Sequence, residues 1–242
     1  MAQFRGHALG ALAELGGRGG IGILAGGTGF WLRAVTAGID TDALPSDPER
    51  RASLEADLER EGVEPMAARL ASVAPNLAAR TDLRNPRRVV RAMEIADLRG
   101  DAPLPGARGY PSPILGIQLV VEPAEHRRRI AARARAQFAA GLVEEAQALR
   151  ERWDPSLRAF SAIGYHESWA YLDGALTFEE AIELDAQRNR QFAKRQATWF
   201  RREPALEIVD ATGGPRPGAS RYVRDFAERV RDSGTNGRRR EG

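Results

Sequence analysis

The stretch that most constrains what this chain can fold into runs from Ile21 to Arg33 and reads Ile-Gly-Ile-Leu-Ala-Gly-Gly-Thr-Gly-Phe-Trp-Leu-Arg. A short apolar run ending at Ala25 meets a turn of Gly26, Gly27, Thr28 and Gly29, and an apolar, helix-capable segment over 31–37 follows at once. The pattern predicts strand, tight turn, helix. Glycine has no Cβ and tolerates positive φ, so backbone N–H groups and a helix N-terminus can come close to a ligand there, with Thr28 offering a hydroxyl. Gly-Gly-Thr-Gly is not a phosphate fingerprint, and many strand-to-helix turns carry glycine for steric reasons alone, so both readings stand on this stretch.

The flanking sequence supplies the frame. Upstream, Phe4, Ala8, Leu12 and Leu15 fall at helical spacing before a glycine break over 16–20. A doubly wound sheet normally begins with a strand carrying its main ligand loop, so an earlier strand is expected to precede this opening helix. Downstream, a polar loop over 38–45 leads to Asp47-Pro48-Glu49, the cap, proline and early acid of a helix start, and helices are predicted over 49–61 and 65–72. Asn85 and Pro86 open a third helix that Gly100 closes, with Val89, Val90, Met93 and Ala96 able to bury. Arg84, Arg87, Arg88 and Arg91 crowd its first turn, where the helix dipole disfavours cations; an external anion or a solvated basic face accounts for them equally well.

After a Pro/Gly loop over 101–113, the continuous apolar run Ile114–Val121 reads as a buried parallel strand, which makes the helical block an insertion between sheet strands. Pro123 then starts a helix carrying Arg127, Arg128, Arg129, Arg133 and Arg135, whose buried side is marked by Ile130, Ala134 and Phe138. It breaks near Gly141 and resumes over 144–152. A loop-like segment over 160–167 leads to a turn at 169–172. Thr177 and Glu180 make a capping box for a long helix reaching Arg202, before Pro204 forbids continuation. Its stripe of Arg188, Gln191, Lys194, Arg195, Thr198 and Arg201 beside Trp199 and Phe200 suits phosphate contacts plus base stacking. A short apolar run over 206–209, a linker, a helix around 222–231 and a disordered Gly-Arg-Arg-Arg-Glu-Gly tail complete the chain. The predicted organisation is a core in two parts, 1–46 and 114–210, a helical insertion over 47–113, and a C-terminal segment over 211–242.

Composition narrows the chemistry. The chain has no cysteine, which removes disulfides, thiolate nucleophiles and sulfur-held metals, so any metal must be held by oxygen or histidine. No apolar run reaches the length of a membrane span and no signal peptide is legible, so a cytoplasmic location is the expectation. A pI near 9.8 with Lys194 as the single lysine means the basic charge is almost wholly arginine, which grips phosphate in bidentate fashion but also accumulates in GC-rich genomes.

Five blocks together resemble the bacterial tRNA dimethylallyltransferases, also called isopentenyl-diphosphate:tRNA transferases. They are Leu24–Arg33, Asn85–Glu94, Arg129-Ile130 with Arg133 and Gly141-Leu142, Ala162–Glu167, and Lys194–Arg201, in register over about residues 2 to 210. The resemblance implies an α/β fold with a P-loop-NTPase-like parallel sheet core of the nucleotide-binding and ATP-binding kind, plus an all-helical insertion gripping the tRNA anticodon stem-loop. It implies transfer of a dimethylallyl group from dimethylallyl diphosphate, with Mg²⁺, to the exocyclic amine of the adenosine immediately 3′ of the anticodon, by a monomer. Carried over by position, Thr28 belongs near the target adenosine within the substrate-binding turn Gly26, Gly27 and Gly29, and Arg133 near the pyrophosphate. Asn85, Pro86, Arg87, Arg88 and Val89 look like tRNA contacts, as do Gly164, Tyr165 and Glu167, and Lys194, Arg195, Gln196, Thr198, Trp199 and Arg201.

The departures matter as much. The family's Gly-x-x-x-x-Gly-Lys-Ser/Thr loop and the following Asp-Ser-x-Gln-Val-Tyr stretch, which supplies the general base and Mg²⁺ contacts, are not in this sequence; Trp31 replaces a usual tyrosine, and Gln137 a common methionine. The 242 residues as written are therefore expected to bind tRNA while transferring little dimethylallyl group, with an exposed strand edge beside Ile21–Ala25. A catalytically dead tRNA-binding homologue is the alternative. An unrelated α/β nucleotide-binding protein with merely solvated basic helices fails on the register of the five blocks.

Overall fold

The computed structural model describes residues 2–38, 44–103, 106–203, 206–214 and 216–238. Pro204, residues 39–43 of the polar loop and the last four residues of the basic tail lie outside them. Contacts divide the chain into two compact units, one of Met1–Gly26 with Phe30–Ser112, the other of Gly27–Gly29 with Pro113–Gly242.

In the first unit, α1 (Ala2–Gly17) and α2 (Gly29–Thr36) flank the glycine turn, and Phe4 packs on Trp31 with ring centroids 4.5 Å apart. Between them the predicted strand is not formed. Residues 21–25 have no regular structure, Ile23 is 87% exposed and Ile21 49%. A strand is stabilised by cross-strand pairing rather than by apolar content, and none of these backbone groups enters a ladder among the described residues. The helical block follows as α3 (Pro48–Glu61), α4 (Val63–Val73), α5 (Pro75–Ala79) and α6 (Pro86–Arg99). Asp47 caps α3 by accepting from the Glu49 and Arg50 N–H groups, and Asn85 caps α6 by accepting from that of Arg88. The short α5 was not legible in the sequence; it is fastened by Asp101, whose carboxylate accepts from the Asn76 and Leu77 N–H groups at 3.0 and 2.9 Å.

Leu54, Met66, Leu70, Leu77, Val89 and Met93 form the core of this block. Within its buried wall stands Glu94, fully inaccessible, accepting hydrogen bonds from the Asp47 N–H (2.9 Å), Arg51 Nη2 (2.7 Å) and Arg91 Nη1 (2.7 Å). Arg91 also donates to the Pro45 carbonyl. One carboxylate thus ties the entry of α3 to the middle of α6. Burial alone opposes its ionisation, but the Arg51 and Arg91 guanidiniums and the Asp47 N–H outweigh it and hold the carboxyl below the ordinary carboxylate range.

The second unit contains β1 (Gly116–Val120), α7 (Pro123–Ala139), α8 (Leu142–Arg152), a 3₁₀ turn at Arg158–Ser161, α9 (Tyr165–Leu172), α10 (Phe178–Phe200), β2 (Leu206–Asp210) and α11 (Arg216–Arg238). β1 and β2 pair in parallel, Gly116 opposite Leu206 and Val120 opposite Asp210. Two elements differ from expectation. Residues 165–167 are the first turn of α9 rather than loop, because Glu167 closes that turn; α11 extends well beyond 222–231 at both ends. Ala134, Phe138, Val143, Ala181, Ile182 and Ala186 join α7, α8 and α10 in one core. Among the described residues no helix is long and apolar enough to cross a membrane.

The Glu94 cluster makes a prediction with a definite sign. Its carboxyl is depressed in the fold and ordinary, near about 4.3, in the unfolded chain, so its stabilisation is complete above that value and lost as pH falls through the folded one. Glu94→Gln is expected to cost about 2–4 kcal/mol at neutral pH. Urea midpoints measured against pH should then fall less steeply in acid for the variant than for the parent; equal slopes would contradict this role.

Candidate functional site

The glycine turn and the end of α10 are built against each other. Gln196 Nε2 donates to the Gly27 carbonyl at 3.1 Å, and a Cβ placed on Gly27 would lie 2.0 Å from that same nitrogen. A Cβ on Gly29 would lie 2.0 Å from Trp199 Nε1 and 2.1 Å from Cδ1, inside the indole itself. Glycine stands at both positions because helix side chains occupy the space a side chain would need. Between them Thr28 is exposed, and its hydroxyl makes no hydrogen bond among the described residues.

The faces of α10 explain how one helix serves two purposes. Gln196, Trp199 and Phe200 are half-buried, whereas Lys194, Ala197, Thr198 and the capping Arg201 are exposed, as the helical period requires of a two-faced segment. Thr198 returns its hydroxyl to the Lys194 carbonyl at 2.9 Å, and Arg195 lies over the Phe192 ring at 5.6 Å. Lys194 and Arg201 form no ion pair among the described residues.

Arg133 projects exposed from α7. Asp185 of α10, 1% exposed, is pushed above the ordinary carboxylate range by burial, the Glu167 charge adding to the rise while the Asn189 amide and the Arg133 charge pull it back. Asn189 Nδ2 donates to Asp185 Oδ2 at 2.9 Å. Beside it Glu167, fully buried, accepts from the Gly164 N–H and from Arg188 Nη1, both at 2.7 Å, while Ser168 Oγ donates to the Gly164 carbonyl. Gly164 itself has φ +108°, and a Cβ there would meet Leu142 at 3.1 Å. Tyr165 donates to Glu145 at 2.6 Å, a bond that raises the phenol's pKa.

These positions sort the sequence-derived candidates. Thr28, Arg133, Lys194, Arg195, Thr198 and Arg201 face solvent, as do Pro86, Arg87 and Arg88. Arg88 pairs with Asp82 at 3.4 Å, both exposed, whereas Arg87 forms no ion pair among the described residues. Val89 and Glu167, expected as tRNA contacts, are fully buried; Val89 packs in the core of the helical block and Glu167 braces the Gly164 turn, so their side chains support neighbours. Asp185 and Glu94 were missed, although an acid recurring on the apolar stripe of a predicted helix is a legible sign of a buried ion pair; Arg188, read as part of the phosphate-facing stripe, instead pairs with the buried Glu167. For the expected Mg²⁺, no group of three or more histidine, aspartate or glutamate residues among those described is placed to hold a metal. The described side chains thus do not form a protein-held magnesium cage.

The crowding at the turn is itself testable. Gly29→Ala should lose about 1–3 kcal/mol because the indole is rigid, whereas Gly26→Ala, with nothing within 4 Å of its added methyl, should change stability little. Thermal unfolding of the two variants measures the contrast.

The family described as IPP transferase matches over residues 1–203. A tRNA dimethylallyltransferase of Bordetella pertussis is 41% identical over 223 residues, covering 88% of this chain and 71% of that protein. One of Thermus thermophilus is 40% identical over 225 residues, covering 92% and 72%. The crystal structure of the full-length tRNA isopentenylpyrophosphate transferase of Bacillus halodurans superposes with a TM-score of 0.63 at 30% identity, covering 98% of this chain and 76% of that one. The chain shares that α/β fold with its helical insertion, and it belongs to the IPP transferase family.

Proposed function

We propose that this protein modifies tRNA by transferring a dimethylallyl group from dimethylallyl diphosphate to the exocyclic amine of the adenosine 3′-adjacent to the anticodon, gripping the anticodon stem-loop as a monomer in the cytoplasm. The observation that carries the reading is the bracketing of Thr28 by Gly27 and Gly29 under a helix end whose exposed side carries Lys194, Arg195 and Arg201, the first and last of them without an ion pair among the described residues.

In the reaction the amine nitrogen forms a bond to the allylic carbon, that carbon's bond to the diphosphate oxygen breaks, pyrophosphate departs, and the amine's proton passes to solvent water. The amine is a poor nucleophile because its lone pair is conjugated into the ring, so catalysis must orient it and neutralise charge on the leaving group. Thr28, its hydroxyl uncommitted, is suited to hydrogen-bond the adenosine. Arg133, exposed on α7, is suited to the departing pyrophosphate, as a guanidinium binds phosphate oxygens in pairs. Lys194, Arg195 and Arg201 would hold RNA phosphates, with Thr198 between them, and Asn85, Pro86, Arg87 and Arg88 would present the start of α6. Arg87, which forms no ion pair among the described residues, favours an anion at that helix N-terminus. Tyr165, half-buried above the Gly164 turn, completes the proposed RNA-contacting set.

Neutralising Lys194, Arg195 and Arg201 together should weaken binding of unmodified tRNA and lower its salt dependence by nearly three phosphate contacts, a change in log–log slope of about 2–3. An unchanged slope would remove this face from the interface. In transfer assays Thr28→Ala and Arg133→Ala should each lower turnover by about 10²–10³ with tRNA affinity retained; label arising on another nucleotide would contradict the reading.

A further inference from the structure

Gln196 and Trp199 fall within a block that also carries the exposed Lys194, Arg195, Thr198 and Arg201, yet both are half-buried against the glycine turn. We infer that Gln196 is a positioning residue, with Trp199 as its steric counterpart, and that together they fix the backbone on either side of Thr28 so that its hydroxyl is presented in one orientation. The inference rests on the reading of Thr28 as the group that meets the adenosine.

The geometry is specific. Gln196 donates one amide hydrogen to the Gly27 carbonyl at 3.1 Å, and the Trp199 ring occupies the place of a Gly29 side chain. Thr28 is thus the one residue of the three whose side chain is left to solvent, held on one flank by a hydrogen bond and on the other by an aromatic wall. Without these two, a Gly-Gly-Thr-Gly segment is among the least constrained of backbones, since each glycine samples both signs of φ. A wandering Thr28 would waste the orientation on which catalysis by a neutral hydroxyl depends. The same contacts also place the turn on the helix that carries Lys194 and Arg201, so the adenosine-facing group and the proposed phosphate-facing groups share one rigid support. Gln196 therefore contributes to the reaction without touching RNA.

The test uses the full chain carrying Gln196→Leu, and separately the near-isosteric Gln196→Glu, which keeps the shape but puts an oxygen where the donor stood. Native-state hydrogen exchange of the Thr28 and Gly29 amides should quicken about tenfold in both, the loss expected for one hydrogen bond, while unmodified tRNA binds within about twofold of the parent. In transfer assays kcat should fall with the KM for tRNA unchanged, and Gln196→Leu combined with Thr28→Ala should be no slower than Thr28→Ala alone. Unchanged exchange at Thr28 and Gly29, or a tenfold loss of tRNA affinity with exchange unaltered, would overturn the inference and make Gln196 a direct RNA contact. If Thr28→Ala itself turns over normally, the reading of Thr28 fails, while the exchange measurement still decides whether Gln196 holds the turn.

Discussion

The close approach of α10 to the glycine turn is the constraint on which the rest of the site depends. Gly27 and Gly29 cannot accept a side chain because Gln196 and Trp199 already fill those volumes, so turn sequence and helix register specify each other. Shifting α10 by one residue would rotate it by about 100°, taking Gln196 and Trp199 away and swinging the Lys194 face toward the turn. The chain of cause runs from a helical period, to a helix with one wet basic face and one packed face, to a threonine held between two anchored glycines.

Buried carboxylates do the complementary work of fixing arginines. Glu94 holds Arg51 and Arg91 at the entry to the helical block, and Glu167 holds Arg188. In each case the acid is inaccessible and the base stands partly or fully in water. A guanidinium tethered from behind has already lost part of its rotamer freedom, so an incoming phosphate orders less on binding. An arginine-rich, lysine-poor chain is well suited to this, because a planar fork can keep one edge on its carboxylate and present the other.

Much of this was legible in the sequence, and for identifiable reasons. Asp47-Pro48, Asn85-Pro86 and Thr177 with Glu180 mark helix starts through local chemistry that does not depend on tertiary context, and the corresponding helices begin there. The strand expected over Ile21–Ala25 was not formed because strand formation is decided by pairing partners that apolar content does not reveal. Glu167 and Val89 show the same limit in the site: a motif position tells that a residue matters, but only packing tells that it matters from beneath the surface. Gln196 could not have been separated from Lys194 and Arg195 by composition; its place on the inward face of α10 separates it.

The most direct test of the account is photo-crosslinking of the full chain to an anticodon stem-loop RNA carrying a photoreactive adenosine analogue immediately 3′ of the anticodon, with adducts located by mass spectrometry. The account predicts adducts on peptides containing Thr28 or the 194–201 segment, competed away by unmodified tRNA. Adducts confined to other segments, with none at Thr28 or α10, would contradict it.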